Sequence, residues 1–197
     1  MPNVTATPNI LTDPGFVFWA PIGTAEPTNT VAGSVFTDAW PVAWVNLGAT
    51  EDGTEWNYDI KVEQVRAAEF FDPIRWKTTE RSGSIGFALL DFTLKNLSRT
   101  LNSGTSAVTT VSGTGATLLS KFEPVDPGNE VRCMIGWESL DATLRLVCRQ
   151  TISSGGVKVN FKPGANKAAM AATFNFEVPS AAKPFAFYSA GANRVGS

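Results

Sequence analysis

The chain of 197 residues contains no histidine, and this absence removes most of the common catalytic chemistry. A nucleophile of the triad type needs a histidine as its general base, and many zinc sites need histidine ligands. The two cysteines, Cys133 and Cys148, cannot build a four-cysteine zinc site. Carboxylates such as Glu51 and Asp52 are the residue types of glycosidases, but acids at a turn usually face solvent. We therefore expect neither an enzyme nor a metal or cofactor site.

Charge is also scarce, and it is unevenly distributed. Charged residues make up 17% of the chain, against about 25% in ordinary soluble domains. Either the surface is built from Ser, Thr, Asn and Gly, or neighbouring copies cover much of it, because obligate interfaces are depleted in charge. Residues 1–60 hold seven acids and no Lys or Arg. Such asymmetry favours contact between copies by charge complementarity, and no basic cluster suggests specific nucleic-acid binding.

Long hydrophobic runs are absent as well. No apolar stretch approaches the roughly 20 residues that a membrane-spanning helix needs. The beginning of the sequence lacks the basic and then apolar pattern of a secretory signal. We therefore expect synthesis in a cytoplasm and no membrane partner.

The patterns that are present indicate β-structure. Residues 44–65 predict a hairpin that turns at Asp52-Gly53, and residues 85–89 and 171–178 alternate as further strands. Residues 69–84 carry mixed charge and a proline, which predicts a projecting loop or an extended hairpin. The proline-rich residues 1–40 predict an extended arm with one short strand near residues 16–19.

Two further segments have a regular pattern. Four leucines from Leu90 to Leu101 follow spacings of four, three and four, which predicts a helix over about residues 91–102, capped by Asp91, with its leucines on a sheet. Residues 131–161 predict a three-stranded meander. Its first turn, between Leu140 and Asp141, would place Cys133 opposite Cys148 in the core, with a disulfide as the alternative.

The aromatic residues suggest contact surfaces. Six tryptophans invite a carbohydrate-binding interpretation, although most lie at strand spacing beside other apolar residues, which favours core or interface. Trp76 differs, because it lies between Arg75 and Lys77 in the expected projection and has the character of an interface anchor. The alternative is that Trp76 folds back on its own domain.

Taken in order, these features resemble the major tail proteins of siphophages, especially those that infect actinobacteria. The resemblance covers most of residues 40–190 and lies in the segments WVNLGATEDGTEW at 44–56, DIKVEQV at 59–65, SIGFALLDFTLKNLSRTLN at 84–102 and FNFEVPSAAKPFAFY at 174–188. It implies a mainly β fold, a sandwich or barrel with one flanking helix, as in the type VI secretion tube protein. The domain would span residues 41–190, between the arm and a C-terminal tail at 191–197.

The resemblance also implies a function and partners. Six subunits would form a ring, and rings would stack into a hollow tail tube, assembled in the host cytoplasm, that conducts DNA during ejection without binding it specifically. The tube would enclose the tape-measure protein and meet the tail terminator and distal tail proteins. A terminator-like ring component is the nearest alternative, and a carbohydrate-binding β-sandwich module is a second.

Two sets of residues become candidates for these contacts. Those expected to bridge subunits or rings are Phe16, Trp19, Arg75, Trp76, Lys77 and Arg81. Those expected to line the channel, where negative charge would keep DNA from adhering, are Glu51, Asp52, Glu55 and Asp59.

Overall fold

The computed structural model describes residues 14–66, 71–111, 119–154, 157 and 169–190. In these ranges the chain is mainly β with one α-helix, as predicted. The strands are β1 (Gly15–Pro21), β2 (Val31–Ala32), β3 (Val35–Phe36), β4 (Val45–Asn46), β5 (Thr50–Val65), β6 (Arg75–Leu89), β7 (Val108–Val111), β8 (Leu119–Phe122), β9 (Cys133–Ser139), β10 (Leu144–Ser153), β11 (Met170–Phe176) and β12 (Phe185–Ser189), and the helix is α1 (Leu94–Thr100).

One antiparallel sheet organises the described residues. Its strand order is β4-β1-β9-β10-β11-β6-β5, and β12 pairs with the first half of β10 on the side where β11 pairs with the second half. The outermost strands β4 and β5 are joined by residues 47–49. There Leu47 N donates to Val17 O at 2.9 Å, and Leu90 N donates to Ala49 O at 2.8 Å. The two ends of the sheet are thus tied together, and the sheet curls around its core as a barrel.

The core lies on the concave side of the sheet. Strand β6 contributes Ile85, Phe87 and Leu89, which are 0%, 6% and 0% exposed, as their alternation predicts. The other fully or largely buried members of this cluster are Val17, Trp19, Leu47, Cys133, Ile135, Trp137, Leu146, Cys148, Met170, Ala172 and Phe174. Because the cluster draws on β1, β6, β9, β10, β11 and the β4–β5 connection, one apolar interior holds the barrel together.

Residues 22–44, here called the strap, cover the outer face of the barrel, the side of β1, β9 and β10 that is turned away from the core. Trp44 of the strap packs on Ala20, Met134 and Val147, the residues that alternate with the core positions of β1, β9 and β10. The indole N–H of Trp44 donates to Ala25 O at 2.8 Å. Residues 14–40, which we assigned to an arm, therefore contribute a central strand and this cover.

Charged hydrogen bonds fasten the strap to the sheet. The side chain of Arg145 is 2% exposed and pairs with Asp38 at 2.9 Å and with Glu138. Arg149 pairs with Glu26 at 2.6 Å. Breaking a buried pair costs more than its net contribution, because the remaining charge stays desolvated.

The hairpin that we predicted around Asp52-Gly53 is not formed. β5 runs unbroken through these residues and pairs with β6, while β4 pairs with β1. The register shifts between Thr50 and Thr54, and Gly53 has φ +82°. Asp52-Gly53 thus forms a bulge, since a glycine at positive φ serves a bulge as well as a turn. Of residues 69–84, expected as a loop or an extended hairpin, residues 75–84 are strand, so the second interpretation is correct.

The helix is shorter than predicted and buries a different face. It spans Leu94–Thr100, and Thr93 rather than Asp91 caps it, because the Thr93 hydroxyl accepts from Asn96 N at 3.1 Å. Its buried residues are Asn96, Ser98, Arg99 and Thr100. Asn96 donates to Leu47 O at 3.0 Å, and Arg99 lies 5.1 Å from the centre of the Trp19 ring. Polar contacts to the β4–β5 connection therefore position the helix, with only Leu97 of its leucines packed against the core.

The predicted β9–β10 hairpin exists, but its register is displaced by two residues as far as Cys148 and by three beyond the bulge between Cys148 and Thr151. Cys148 lies opposite Ile135, and Cys133 lies opposite Thr151. The loop is wider than expected because Ala142 adopts φ +53° and donates its N–H to Ser139 O at 2.9 Å. A shift of two preserves the side-chain faces around Cys148, and the extra residue is taken up by the bulge of β10, so both cysteines remain in the core. They are free thiols, not a disulfide.

The third strand expected in the meander, at residues 157–161, lies almost wholly outside the described residues. The last predicted strand is present as β11, with Phe174 buried, although Val178 lies beyond it and is 78% exposed. The aromatic residues near the end of the chain form β12 and pack on Trp56, whose ring centre lies 5.3 Å from that of Phe185.

Candidate interaction site: a projecting hairpin and an apolar mouth

Beyond the barrel, β5 and β6 continue as a two-stranded hairpin. The pairing of β6 with β11 ends at Ser84, opposite Asn175. From there to the pair Val65–Arg75, the described strands pair only with each other. We call residues 60–65 and 75–81 the distal hairpin.

The distal hairpin has an apolar face and a charged face. Registered pairs share a face, so Ile60 with Arg81, Val62 with Thr78 and Gln64 with Trp76 continue the side that carries Trp56 inside the barrel. The opposite face carries mainly charged side chains, namely Asp59, Lys61, Glu63, Arg75, Lys77 and Glu80. Apolar and charged side chains therefore continue to alternate between the two faces of the strands beyond the end of the barrel core.

The apolar face of the distal hairpin is uncovered in the single chain. Ile60, Val62 and Trp76 are 54%, 47% and 60% exposed. Towards the tip, Phe71 is fully exposed and Ile74 is 56% exposed. An isolated two-stranded hairpin is only marginally stable in water, and contiguous exposed apolar residues mark interaction surfaces. The hairpin therefore has the character of a contact element.

At the base of the hairpin the barrel interior opens to the surface. A cavity of about 210 Å³, here called the mouth, is lined almost entirely by apolar atoms of Thr54, Trp56, Ile85, Trp137, Leu144, Leu146 and Phe187. Phe187 on its rim is 46% exposed. Three polar atoms of this lining, the indole nitrogens of Trp56 and Trp137 and the Thr54 hydroxyl, are buried without a hydrogen-bond partner among the described residues. The apolar core is thus incompletely covered at the mouth.

The four acids proposed for a channel lining lie together on β5. Glu51, Asp52, Glu55 and Asp59 are all exposed. Glu55 and Asp59 occupy the face of β5 opposite to Trp56, since they alternate with it along the strand. Between Glu51 and Asp59 the strand carries no basic residue, so this stretch forms a continuous negative strip.

The bridging candidates divide between surface and core. Phe16 is 41% exposed on β1, whereas Trp19 is 5% exposed within the core cluster. Arg75, Trp76, Lys77 and Arg81 all lie exposed on the distal hairpin. Alternation along β1 puts Phe16 and Trp19 on opposite faces, but the sequence alone does not show that the face of Val17 and Trp19 is the one turned to the core.

The two cysteine thiols are buried in the core. Burial raises the pKa of Cys133 to about 11 and raises the pKa of Cys148 further. A thiol with a raised pKa carries little thiolate near neutral pH and is a poor nucleophile. The cysteines therefore act as small apolar residues of the core.

No helix in the described ranges is long and apolar enough to cross a membrane. The same ranges contain no cluster of three or more potential metal ligands among His, Cys, Asp and Glu.

A curled β-sheet that extends into an amphipathic hairpin beside an open apolar mouth defines a structural protein that acts through contacts with other chains. The particular family follows from the sequence: the chain belongs to the phage tail tube protein family, whose sequence model matches residues 8–178. The protein is accordingly a non-enzymatic structural component of the virion tail. No curated protein matches the chain significantly.

Proposed function

We propose that the protein assembles into rings of six copies that stack as the hollow tube of the tail. The observation that carries this proposal is the distal hairpin, a paired ribbon with exposed Ile60, Val62 and Trp76 and no cover of its own. A contact between two different surfaces of the same chain propagates from copy to copy, and it yields a ring where the rotation closes and a filament where it does not.

The free strand edges support ring closure. In the described structure, the outer edge of β5 pairs with no other strand. Unpaired edges are templates for another strand, and a closed ring of subunits removes them. We therefore assign the edge of β5 to the contact between neighbours within a ring, and the tip of the hairpin to the contact between rings.

The negative strip on β5 fits the lining of a channel for DNA. Glu51, Asp52, Glu55 and Asp59 stand exposed with no base between them. Like charges repel a polyanion, and the repulsion weakens beyond a Debye length of about 10 Å at 0.1 M salt. A structure of the assembled tube with these carboxylates outside the channel would exclude this role.

In this arrangement the tube conducts DNA during ejection and encloses the tape-measure protein during assembly. Its ends meet the tail terminator and the distal tail proteins. A terminator-like ring component remains the alternative that shares the hairpin. The carbohydrate-binding alternative has little support, because Trp76 is the one tryptophan of the six that is more than half exposed, whereas sugar platforms need exposed aromatic surfaces.

Electron microscopy of the purified full-length protein tests the proposal. We expect long tubes about 100 Å wide, since a compact domain of this length measures tens of ångströms across. Single rings that do not stack would support the terminator-like alternative. A protein that stays monomeric at millimolar concentration, under every salt condition tried, would contradict both.

A further inference from the structure

We infer that the mouth of one copy receives the hairpin tip of the copy in the next ring, with Trp76 and Ile74 as the inserted side chains. This inference rests on the proposed tube and names the two surfaces that join its rings. The partner is a second copy of this chain.

The first argument is that both surfaces are apolar and exposed to solvent in the single chain. The mouth is a cavity of about 210 Å³ with Phe187 on its rim and the indole of Trp137, 9% exposed, in its wall. At the tip, Trp76 is 60% exposed and Ile74 is 56% exposed. Anchors of this kind, a large aromatic with an aliphatic neighbour, carry most of the binding energy when they enter a preformed pocket.

The second argument is that the hairpin of a chain cannot fill the mouth of the same chain. Trp76 and Ile85 lie on the same strand, nine residues apart, which separates them by about 30 Å at roughly 3.3 Å per residue. Both strands are paired over this whole distance, apart from the bulge opposite Lys61 and Val62. The hairpin therefore holds Trp76 away from the mouth of its own chain, and a hairpin that enters the mouth has to come from another copy.

The third argument is charge. The residues beside the mouth on β5 are acidic, and none of residues 1–60 is basic. The described residues 61–81 carry five bases and three acids, with bases at Lys61, Arg66, Arg75, Lys77 and Arg81. The described part of the hairpin is thus net positive, whereas the strand beside the mouth is negative. Charge complementarity of this kind fixes which surfaces meet and speeds their association, more at low salt than at high salt.

The two surfaces also fix the polarity of the stack. Tip and mouth lie at opposite ends of one hairpin, so each copy that donates a tip presents a mouth at its other end. A head-to-tail contact of this type does not close on itself along the stacking direction. Every ring added would therefore regenerate the same acceptor surface.

Cross-linking between two single-cysteine variants tests the inference. One preparation carries Ile74→Cys at the tip, and the other carries Phe187→Cys at the mouth. The native Cys133 and Cys148 are buried and leave the background low. The two preparations are mixed, assembled and treated with a short bis-maleimide. The matched control replaces Phe187→Cys with Val42→Cys, since Val42 is fully exposed on the strap.

We expect the tip and mouth pair to form cross-linked dimers at least about tenfold faster than the control pair, because assembly holds the two thiols at an effective concentration in the millimolar range. Tubes that cross-link no faster than the control would overturn the inference and leave the proposed tube intact. Absence of tubes in both mixtures and in the unmodified protein would overturn the proposed function itself. Each variant is assembled together with an excess of unmodified protein, which keeps most interfaces native, and microscopy checks that the mixtures being cross-linked contain tubes.

Discussion

The two halves of the β5–β6 hairpin have the same pairing and opposite environments. In the proximal half, inside the barrel, Ile85, Phe87 and Leu89 are at most 6% exposed. In the distal half, Ile60, Val62 and Trp76 occupy the continuing side of the same ribbon and are at least 47% exposed. Strand alternation is equal in both halves. What differs is the presence of β11, β12 and the core, which cover the first half and end before the second.

This contrast shows that the two halves of the β5–β6 hairpin have different roles. The proximal half stabilises the single chain by burying apolar area, at about 25 cal/mol per Å². The distal half keeps similar side chains in water, where they contribute to the fold of one chain very little. Substitutions matched across the two halves should therefore separate the stability of the subunit from the stability of the assembly.

The largest effect is expected in the core against which the proximal half packs. Phe174 is 0% exposed and stacks on Phe87 with ring centres 5.7 Å apart. Phe174→Ala should lower the free energy of unfolding by about 4 kcal/mol, because it leaves a cavity among rigid neighbours. Urea denaturation followed by tryptophan fluorescence measures it. Val62→Ala in the distal half is the control and should cost less than about 1 kcal/mol. Equal losses would show that the distal half is also packed.

A second comparison contrasts a buried ion pair with an exposed one. Arg145→Met leaves Asp38 and Glu138 without their buried partner, which should cost about 3 kcal/mol. On the distal hairpin, Lys61 and Glu80 are 4.0 Å apart and more than 60% exposed. Lys61→Met should therefore change the free energy of unfolding by about 0.5 kcal/mol or less. Thermal unfolding of both variants, unassembled, would contradict this view if they lost similar stability.

The boundary between the halves can be tested at two glycines of β6. A Cβ added at Gly83 would lie 2.5 Å from Phe176 and 2.7 Å from Tyr58, two rings that contact Phe185. Gly83→Ala should destabilise the chain by about 2 kcal/mol through overpacking. Gly86 is the matched control, because the nearest atom to its added Cβ is 3.7 Å away. Gly86→Ala is expected to be close to neutral, and a reversed order would place the boundary elsewhere.

Acid should weaken the barrel through the strap. Burial by itself would raise the pKa of Glu26, but hydrogen bonds from Arg149 and Tyr188 outweigh it and lower the pKa below 4.5. A carboxyl with a lowered pKa in the folded state contributes stability above its unfolded pKa, and loses it as the pH falls through the folded pKa. The free energy of unfolding should thus decline below about pH 4.5, in Glu26→Gln less steeply than in the parent. Identical slopes in equilibrium unfolding would rule out this contribution.

The smallest effect on the single chain is expected at the hairpin tip. Trp76→Ala should change the free energy of unfolding of unassembled protein by about 0.5 kcal/mol or less, because the side chain is 60% exposed. The same variant should form tubes poorly, as measured by sedimentation and microscopy. A variant that unfolds more easily would place Trp76 in its own domain, and one that assembles normally would remove it from the interface.

Local signals in the sequence predicted the strands with buried alternation. Ile85, Phe87 and Leu89 lie inside, and the cysteines of β9 and β10 share a core face as expected. The predicted register between β9 and β10 was wrong by two residues next to the loop. The reason is that Ala142 adopts a positive φ, which the sequence does not indicate. The Asp52-Gly53 turn was wrong because a bulge and a turn use the same residues, and only the partner strand distinguishes them.

The interaction site was predictable only in part. Trp76 between Arg75 and Lys77 drew attention to the distal hairpin, and the acids of β5 were visible as a cluster. The mouth was not, since its lining joins residues from β5, β6, β9, β10 and β12 that are distant in sequence. Period two places Phe16 and Trp19 on opposite faces of β1, but it could not show which of the two faces the core covers.

By itself the sequence determined the family of this protein, whose model matches residues 8–178, and its composition without histidine and with little charge. It also determined which side chains share a face of each strand, because side-chain alternation is a local property of extended backbone. The tertiary structure alone decided which of those faces is covered. A face is covered where strands that are far apart in sequence pair in one sheet. The pairing of β11 with β6 ends halfway along the β5–β6 hairpin.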